Sequence, residues 1–459
     1  MMPIIRIHTV LASLLIPFSL IGHTASAQTR LTGRVWEEFR IAAARYDSLQ
    51  TVFKALQKEH PALGKNPLLM QDYIKQDLPA IMEIYQGLPQ KASAALENTG
   101  DIPSYGIDDL RLIALAAATI QDHVTAAAAN ERLLALVHAP DSQRTIRREL
   151  AMLSAALGDA DKAMQYATRE NLVDASDMER GVISSAVASA LADEERPVEA
   201  HAFAISAVRG FRAYKDADST AEEMPSDPLQ REEIEKAQRY FIITHLAEPL
   251  ANVVYAYRAS GDTSGATRFL HEAETVLDDS ALLADLRSAT EAYVEKKTKE
   301  RELIDRPAPE WGKHRWIGTD GLSLTKLAGK VVLVDFFATW CKPCIMAFPH
   351  IRKWKERYAS EGLVVVGLTQ YQGRYEGIQL PADSEYAKLK NDFVHKHHVT
   401  WPVGIAEAGS STFKDYHVGG IPHIVLIDRK GVIRYFAVGA GQYERTERQI
   451  RKLLRKKAG

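Results

Sequence analysis

A chain of 459 residues in which 46% are hydrophobic and 25% charged has globular composition, which excludes disorder as its general state and leaves room for two or three domains. With 57 basic against 59 acidic side chains the net charge is −2, so no overall field favours nucleic acid or an anionic membrane, and neither is expected as a partner.

Residues 1–27 read as a secretory signal peptide. Arg6 and His8 precede the apolar run from Thr9 to Ile21, and Ala25-Ser26-Ala27 offers the small residues at which a peptidase cuts. The competing reading is an uncleaved anchor, but the apolar core is shorter than the ~20 residues that span a bilayer, and Pro17 interrupts it. Cleavage after Ala27 and a periplasmic location are expected. Exported proteins normally use cysteines as structural staples, yet this chain has two, Cys341 and Cys344. A bridge enclosing two residues removes little unfolded-state entropy, so the pair serves chemistry or metal.

Residues 28–302 are rich in Ala, Leu, Glu and Arg, with apolar positions three and four apart, and read as an all-α domain. Polar turns precede helices that open on a small residue at Gly158–Ala163, Asp193–Ala200 and Gly261–Ala266. Ala126, Ala163, Ala200 and Ala266 are 37, 37 and 66 residues apart. This spacing is near the ~34-residue period of tetratricopeptide-like helical hairpins, with an irregular helical bundle as the alternative. Ala217 to Pro228 reads as a loop within the helices. The charged run Glu295 to Arg306, stopped by Pro307-Ala308-Pro309, marks the boundary to a second domain at 303–459.

Beyond the boundary, Val331–Ala338 and Leu363–Thr369 read as buried strands, with Pro343–Tyr358 and Asp383–His398 as helices. Strands at Pro402–Ile405, His423–Asp428 and Val432–Phe436 follow, the last two joined by the tight turn Arg429-Lys430-Gly431. Gln442–Lys456 is a final helix. Apolar runs alternating with helices predict parallel strands buried on both faces, with the terminal hairpin as an antiparallel edge.

Cys341 stands where a buried strand gives way to a helix, so the unpaired N–H groups and dipole of the helix N-terminus favour its thiolate. Lys342 adds a neighbouring cation, and Pro343 fits the first turn, where its missing N–H costs nothing. A thiolate attacks disulfides, and a second thiol two residues on can resolve the mixed disulfide. A zinc half-site is the bland alternative, but the chain has no second cysteine pair. His395, His397 and His398 suggest metal only weakly, because helix ends favour such residues anyway, and no metal site is expected.

The stretch Val334-Asp335-Phe336-Phe337-Ala338-Thr339-Trp340-Cys341-Lys342-Pro343-Cys344, then Phe348-Pro349, resembles the thioredoxin superfamily, especially its exported TlpA/ResA-like branch. Gly321 to Lys330, Gly420-Ile421-Pro422-His423 and Leu426 to Gly431 are similar to the same branch. The resemblance covers about a third of the chain and implies an α/β thioredoxin-like fold behind the all-α domain. It makes Cys341 the exposed attacking cysteine, Cys344 the buried resolving one, and Asp335 the buried acid that exchanges a proton with Cys344. It makes Pro422 a cis-proline facing the disulfide and, with Ile421 and Trp340, part of a substrate-binding edge.

Two departures stand out: Ala347 occupies a position that is often acidic in this branch, and His423 replaces the Thr common after the cis-proline. A ring at 423 is expected close enough to the cysteines to tune the thiolate. No cofactor is expected beyond the redox-active disulfide Cys341–Cys344. The resemblance implies a thiol:disulfide oxidoreductase that reduces client proteins and draws electrons from a membrane donor. The alternative is a helical client-binding protein with an accessory redox domain; a thiol peroxidase is disfavoured by the vicinal cysteine pair.

Overall fold

The computed structural model describes residues 31, 34–45, 88, 91–97, 99–219, 228–439 and 442–455. The expected signal peptide lies outside them, as does most of the loop expected between 217 and 228. The chain forms two compact units that divide between Val294 and Glu295. Among the described residues no helix is long and apolar enough to cross a membrane.

The first unit is helical. Its elements include α1 (Ile107–Thr119), α2 (His123–Leu136), α3 (Pro140–Leu157), α4 (Ala160–Tyr166), α5 (Asp177–Asp193), α6 (Pro197–Ser219), α7 (Pro228–Ala259) and α8 (Thr263–Leu277), before α9 (Ser280–Leu303). The spaced alanines have a physical basis in helix capping. Asp122, Asp159 and Asp262 are N-caps whose carboxylates accept from the N–H three residues on, in Thr125, Lys162 and Gly265. One residue further, Ala126, Ala163 and Ala266 are buried, as is Ala200 in the first turn of α6. A small side chain at that position lets each first turn press against its neighbours.

Helices α5 and α6 approach each other closely. A Cβ on Gly210 would lie 2.7 Å from the backbone N of Gly181 and 2.8 Å from the carbonyl oxygen of Asp177. The neighbour there is backbone and cannot rotate away. Gly210→Ala is therefore expected to lower the unfolding free energy by about 1–3 kcal/mol, the usual cost of overpacking, in urea titrations followed by circular dichroism. An unaltered midpoint would show that the two helices separate freely.

In the second unit, β1 (His314–Ile317), β6 (Val403–Ala406), β3 (Leu363–Gln370), β2 (Val331–Phe336), β7 (His423–Ile427) and β8 (Ile433–Val438) lie in that order across one sheet. The pairs β2–β3 and β3–β6 are parallel, whereas β1–β6, β2–β7 and β7–β8 are antiparallel. The terminal hairpin thus reaches the sheet's centre through β7. Helices α10 (Lys342–Tyr358), α11 (Ala382–Lys388, continued by a π turn to Lys396) and α13 (Tyr443–Arg455) join the core around the cysteines, and the short α12 (Thr412–Asp415) lies ahead of β7.

Three elements were invisible in the sequence: β1, α12 and the small hairpin of β4 (Arg374–Tyr375) and β5 (Ile378–Gln379). The hairpin turns through Glu376 and Gly377, both with positive φ, which is the two-residue turn usually signalled by Asn-Gly. The turn at 429–431 forms as expected, with Asp428 Oδ1 accepting from the N–H groups of Lys430 and Val432. The Pro-Ala-Pro segment is more than punctuation. Pro307 bridges to Val432, and the Asp305 and Ala308 N–H groups donate to the carbonyls of Ile433 and Gly431, covering the edge beside β8.

Candidate active site

Strand β2 is buried along its whole length, held between β3 and β7, and its side chains alternate between two cores. Val331 and Leu333 pack in the core that includes Cys341, Cys344, Ala347, Ile424 and Leu426. Val332, Val334 and Phe336 pack with Val425, Ile427 and Tyr416 on the opposite face. This alternation decides where each expected site residue points.

Cys341 and Cys344 are joined in a disulfide with Cα atoms 5.3 Å apart. Cys341 is the N-cap of α10, and the Cys344 N–H donates to its Sγ at 3.2 Å. Lys342 and Pro343 are exposed in the first turn. The expected contrast between an exposed and a buried cysteine is muted in this oxidised state: Cys341 is only 3% exposed, and Cys344 is fully buried. Ala347 packs into the same core, so the acid found there in other members of the resembled branch has no counterpart on this helix.

Asp335 falls on the cysteine face by alternation, in register with Gly367 of β3 and Ile424 of β7. It is fully buried, and among the described residues neither carboxylate oxygen has a hydrogen-bond partner. Burial alone pushes its pKa up to about 8, so the group is mostly neutral at pH 7 and exchanges its proton in the range where thiols ionise.

His423 is in register with Phe336 and Val438. Its ring stands edge-on to Phe336 and Phe436, with centroids 5.7 and 5.4 Å away. It therefore lies on the face opposite the disulfide, and the expectation that it tunes the thiolate is corrected. Register is the reason: residue 424, not 423, shares the cysteine face. Both ring nitrogens lack hydrogen-bond partners among the described residues, and burial, followed by the charges of Lys296 and His417, pushes the pKa down to about 3.

The Ile421–Pro422 bond is cis, and Ile421 packs against both cores just ahead of His423, which pairs with Phe336 at the end of β2. Trp340 is 47% exposed, and its Nε1–H donates to Gln372 Oε1 at 3.0 Å. The backbone N–H groups of Gln372 and Gly373 donate to the two carboxylate oxygens of buried Glu385 at 2.8 and 2.9 Å. The tether through Gln372 and Glu385 had no local signal in the sequence. At the end of α11 the ring of His397 packs on Phe393, and the carbonyls of His397 and His398 accept from Arg352.

A dithiol–disulfide pair at the N-terminus of a helix, launched from the central strand of a mixed sheet, defines a domain of thioredoxin-like fold. A family model described as Redoxin matches residues 319–454. The thioredoxin-like protein YneN of Bacillus subtilis is 30% identical over 128 residues, which are 28% of this chain and 68% of YneN. Over this C-terminal third, the chain belongs to the thioredoxin-like family. The thiol-disulfide oxidoreductase ResA of Bacillus cereus is 29% identical over 34% of this chain and 81% of its own length. DipZ of Mycobacterium bovis is 31% identical over 30% of this chain, and the match spans 19% of DipZ. A solved thiol-disulfide isomerase from Corynebacterium glutamicum is 27% identical, covering 32% of this chain and 97% of that one, with a TM-score of 0.28.

Two pH predictions follow from the buried groups, with opposite signs. Asp335 holds its proton to about pH 8 when folded but releases it near pH 4 when unfolded, so the folded state loses relative stability as pH rises between those values. Asp335→Asn should match the parent near pH 3.5 and exceed it by a few kcal/mol at pH 8 in urea titrations of the oxidised protein. An equal difference at both values would mean that Asp335 does not titrate on unfolding.

His423 stays neutral down to about pH 3 when folded and takes up a proton near pH 6.5 when unfolded, so stability is lost as pH falls through that window. His423→Leu should remove about 2–3 kcal/mol of the loss between pH 7 and 4.5. The same variant should leave the glutathione redox equilibrium of the disulfide where it is. A displaced equilibrium would put the ring back on the cysteine face.

Proposed function

We propose that the chain is an exported thiol:disulfide oxidoreductase that reduces disulfides in client proteins through Cys341 and Cys344. The observation that carries this reading is the disulfide at the start of α10, with the Cys344 N–H directed at Cys341 Sγ. That hydrogen bond and the helix dipole stabilise negative charge on Cys341 sulfur, which makes it the attacking thiolate in the reduced state and the better leaving group in the oxidised state.

In the reducing direction the Cys341 thiolate attacks one sulfur of the client disulfide. The client S–S bond breaks, and its second sulfur leaves as a thiolate. Cys344 loses its proton to Asp335 in its ionised form, a minority at pH 7 that grows as the pH approaches 8, and attacks Cys341 Sγ, closing the enzyme disulfide and releasing the client's first sulfur as a thiolate. The client gains two electrons and the enzyme loses two. A membrane dithiol donor then restores the pair, taking the oxidised equivalents away. Export is supported by the N-terminal sequence pattern, and the helical unit is assigned the holding of the client.

Insulin reduction and mixed-disulfide trapping test the reading. Full-length protein with a dithiol donor should precipitate reduced insulin, Cys341→Ser should fall to background, and Cys344→Ser should retain clients from the exported fraction as adducts released by dithiothreitol. Activity that survives Cys341→Ser would overturn it, as would finding the protein in the cytosolic fraction alone.

A further inference from the structure

Helix α9 runs unbroken to Leu303, and its residues from Glu295 onward belong to the C-terminal unit. There it meets the loop that leads to the cis peptide bond. The carbonyl of Lys299 bonds His417 Nδ1 at 2.8 Å. The Lys296 stem lies along Gly419, its Cδ and Cε 3.9 Å from where a Cβ would stand, and its Nζ is 3.7 Å from the equivalent point on Gly420. Because both residues are glycine, the ammonium rests over bare backbone immediately ahead of Ile421–Pro422.

Two further observations bear on what this ammonium does. Its neighbour Lys299 is engaged by Glu295 at 2.5 Å, whereas no ion pair among the described residues engages Lys296. Ile421, the next residue along the loop, packs in the core that contains both cysteines. The loop leads into β7 at His423, which pairs with Phe336 at the end of β2 from which the chain runs on to Cys341, so a client segment laid along this loop toward Cys341 passes an unneutralised, partly buried cation.

We propose that Lys296 is a specificity-determining residue that favours clients carrying a carboxylate within two residues of the disulfide. The proposal rests on the oxidoreductase reading and names the client chemistry for that site. The pair forms in the bound complex, where the partly desolvated stem and the approaching backbone exclude water, so it is worth more than a freely solvated ion pair. Lysine suits the task because its ammonium is a compact charge that needs no fixed planar partner. It selects for charge and not for one side-chain shape.

The test uses the full-length protein and disulfide-linked peptides that differ only in Glu, Gln or Lys two residues from the cysteine. The parent should prefer Glu over Gln by about three- to tenfold in kcat/KM, expressed through KM, with Lys the poorest. Lys296→Gln should bring the Glu-to-Gln ratio to about one, and Lys296→Glu should invert it in favour of the Lys peptide. Salt near 1 M, where the Debye length is about 3 Å, should compress the parent's preference. A parent that does not discriminate, or a Lys296→Gln variant that slows all three peptides equally, would overturn the proposal by reducing Lys296 to a support for the loop. If the parent reduced neither these peptides nor insulin, the oxidoreductase reading itself would have failed.

Discussion

The hydrogen bond from the Cys344 N–H to Cys341 Sγ is the interaction on which the site depends, and it exists because β2 delivers the chain to a helix start at one place. Strand β2 can do this because it is fixed from both sides. Parallel pairing to β3 and antiparallel pairing to β7 leave it no freedom of register, and a slip of one residue would exchange its two faces. The same register that points Leu333 and Asp335 toward the cysteines points Phe336 and His423 away. The cysteine chemistry and the burial of two ionisable groups are thus consequences of a single strand alignment.

Those two groups carry opposite costs. Asp335 is held neutral by burial on the reactive face, and His423 is held neutral by burial on the other, each without a hydrogen-bond partner among the described residues. A buried polar group with no partner costs stability that an apolar residue would not, so its presence requires an explanation beyond packing. For Asp335 the proposed proton exchange with Cys344 supplies one. For His423 the surrounding Phe336 and Phe436 give shape complementarity and nothing for the nitrogens to bond, and we have no physical account of why a histidine is there.

Much of this was legible in the sequence because its signals are local. The strand-turn-helix at 331–344, the turn at 429–431 and the Asp-capped helix starts each depend on residues within a few positions of one another. The misreadings that bear on the site are non-local. Which face His423 occupies depends on its pairing with Phe336, 87 positions earlier by residue number, and no periodicity within β7 reveals that. The tether from Trp340 through Gln372 to Glu385 joins three segments whose only common property is their place in the fold. The β4–β5 hairpin escaped because Glu376 adopts positive φ, which glutamate rarely does.

The direction of electron flow depends on how the helix terminus and the buried acid compete. Hydrogen bonding and the helix dipole stabilise the Cys341 thiolate, and whatever stabilises the reduced form makes the disulfide more oxidising. An ionised Asp335 on the same face of the sheet would do the reverse, because a buried negative charge raises the energy of a thiolate nearby. With its pKa near 8 in the oxidised state, Asp335 is neutral over most of the range in which the enzyme would work, so the helix terminus dominates and the carboxyl imposes little penalty on the first thiolate. The opposition emerges only when Asp335 is ionised and takes the Cys344 proton: the carboxyl becomes neutral, the negative charge passes to the Cys344 sulfur, and closing the disulfide transfers it to the departing client thiolate. The arrangement therefore favours the thiolate on Cys341 and leaves Cys344 to ionise only when Asp335 is available as a base.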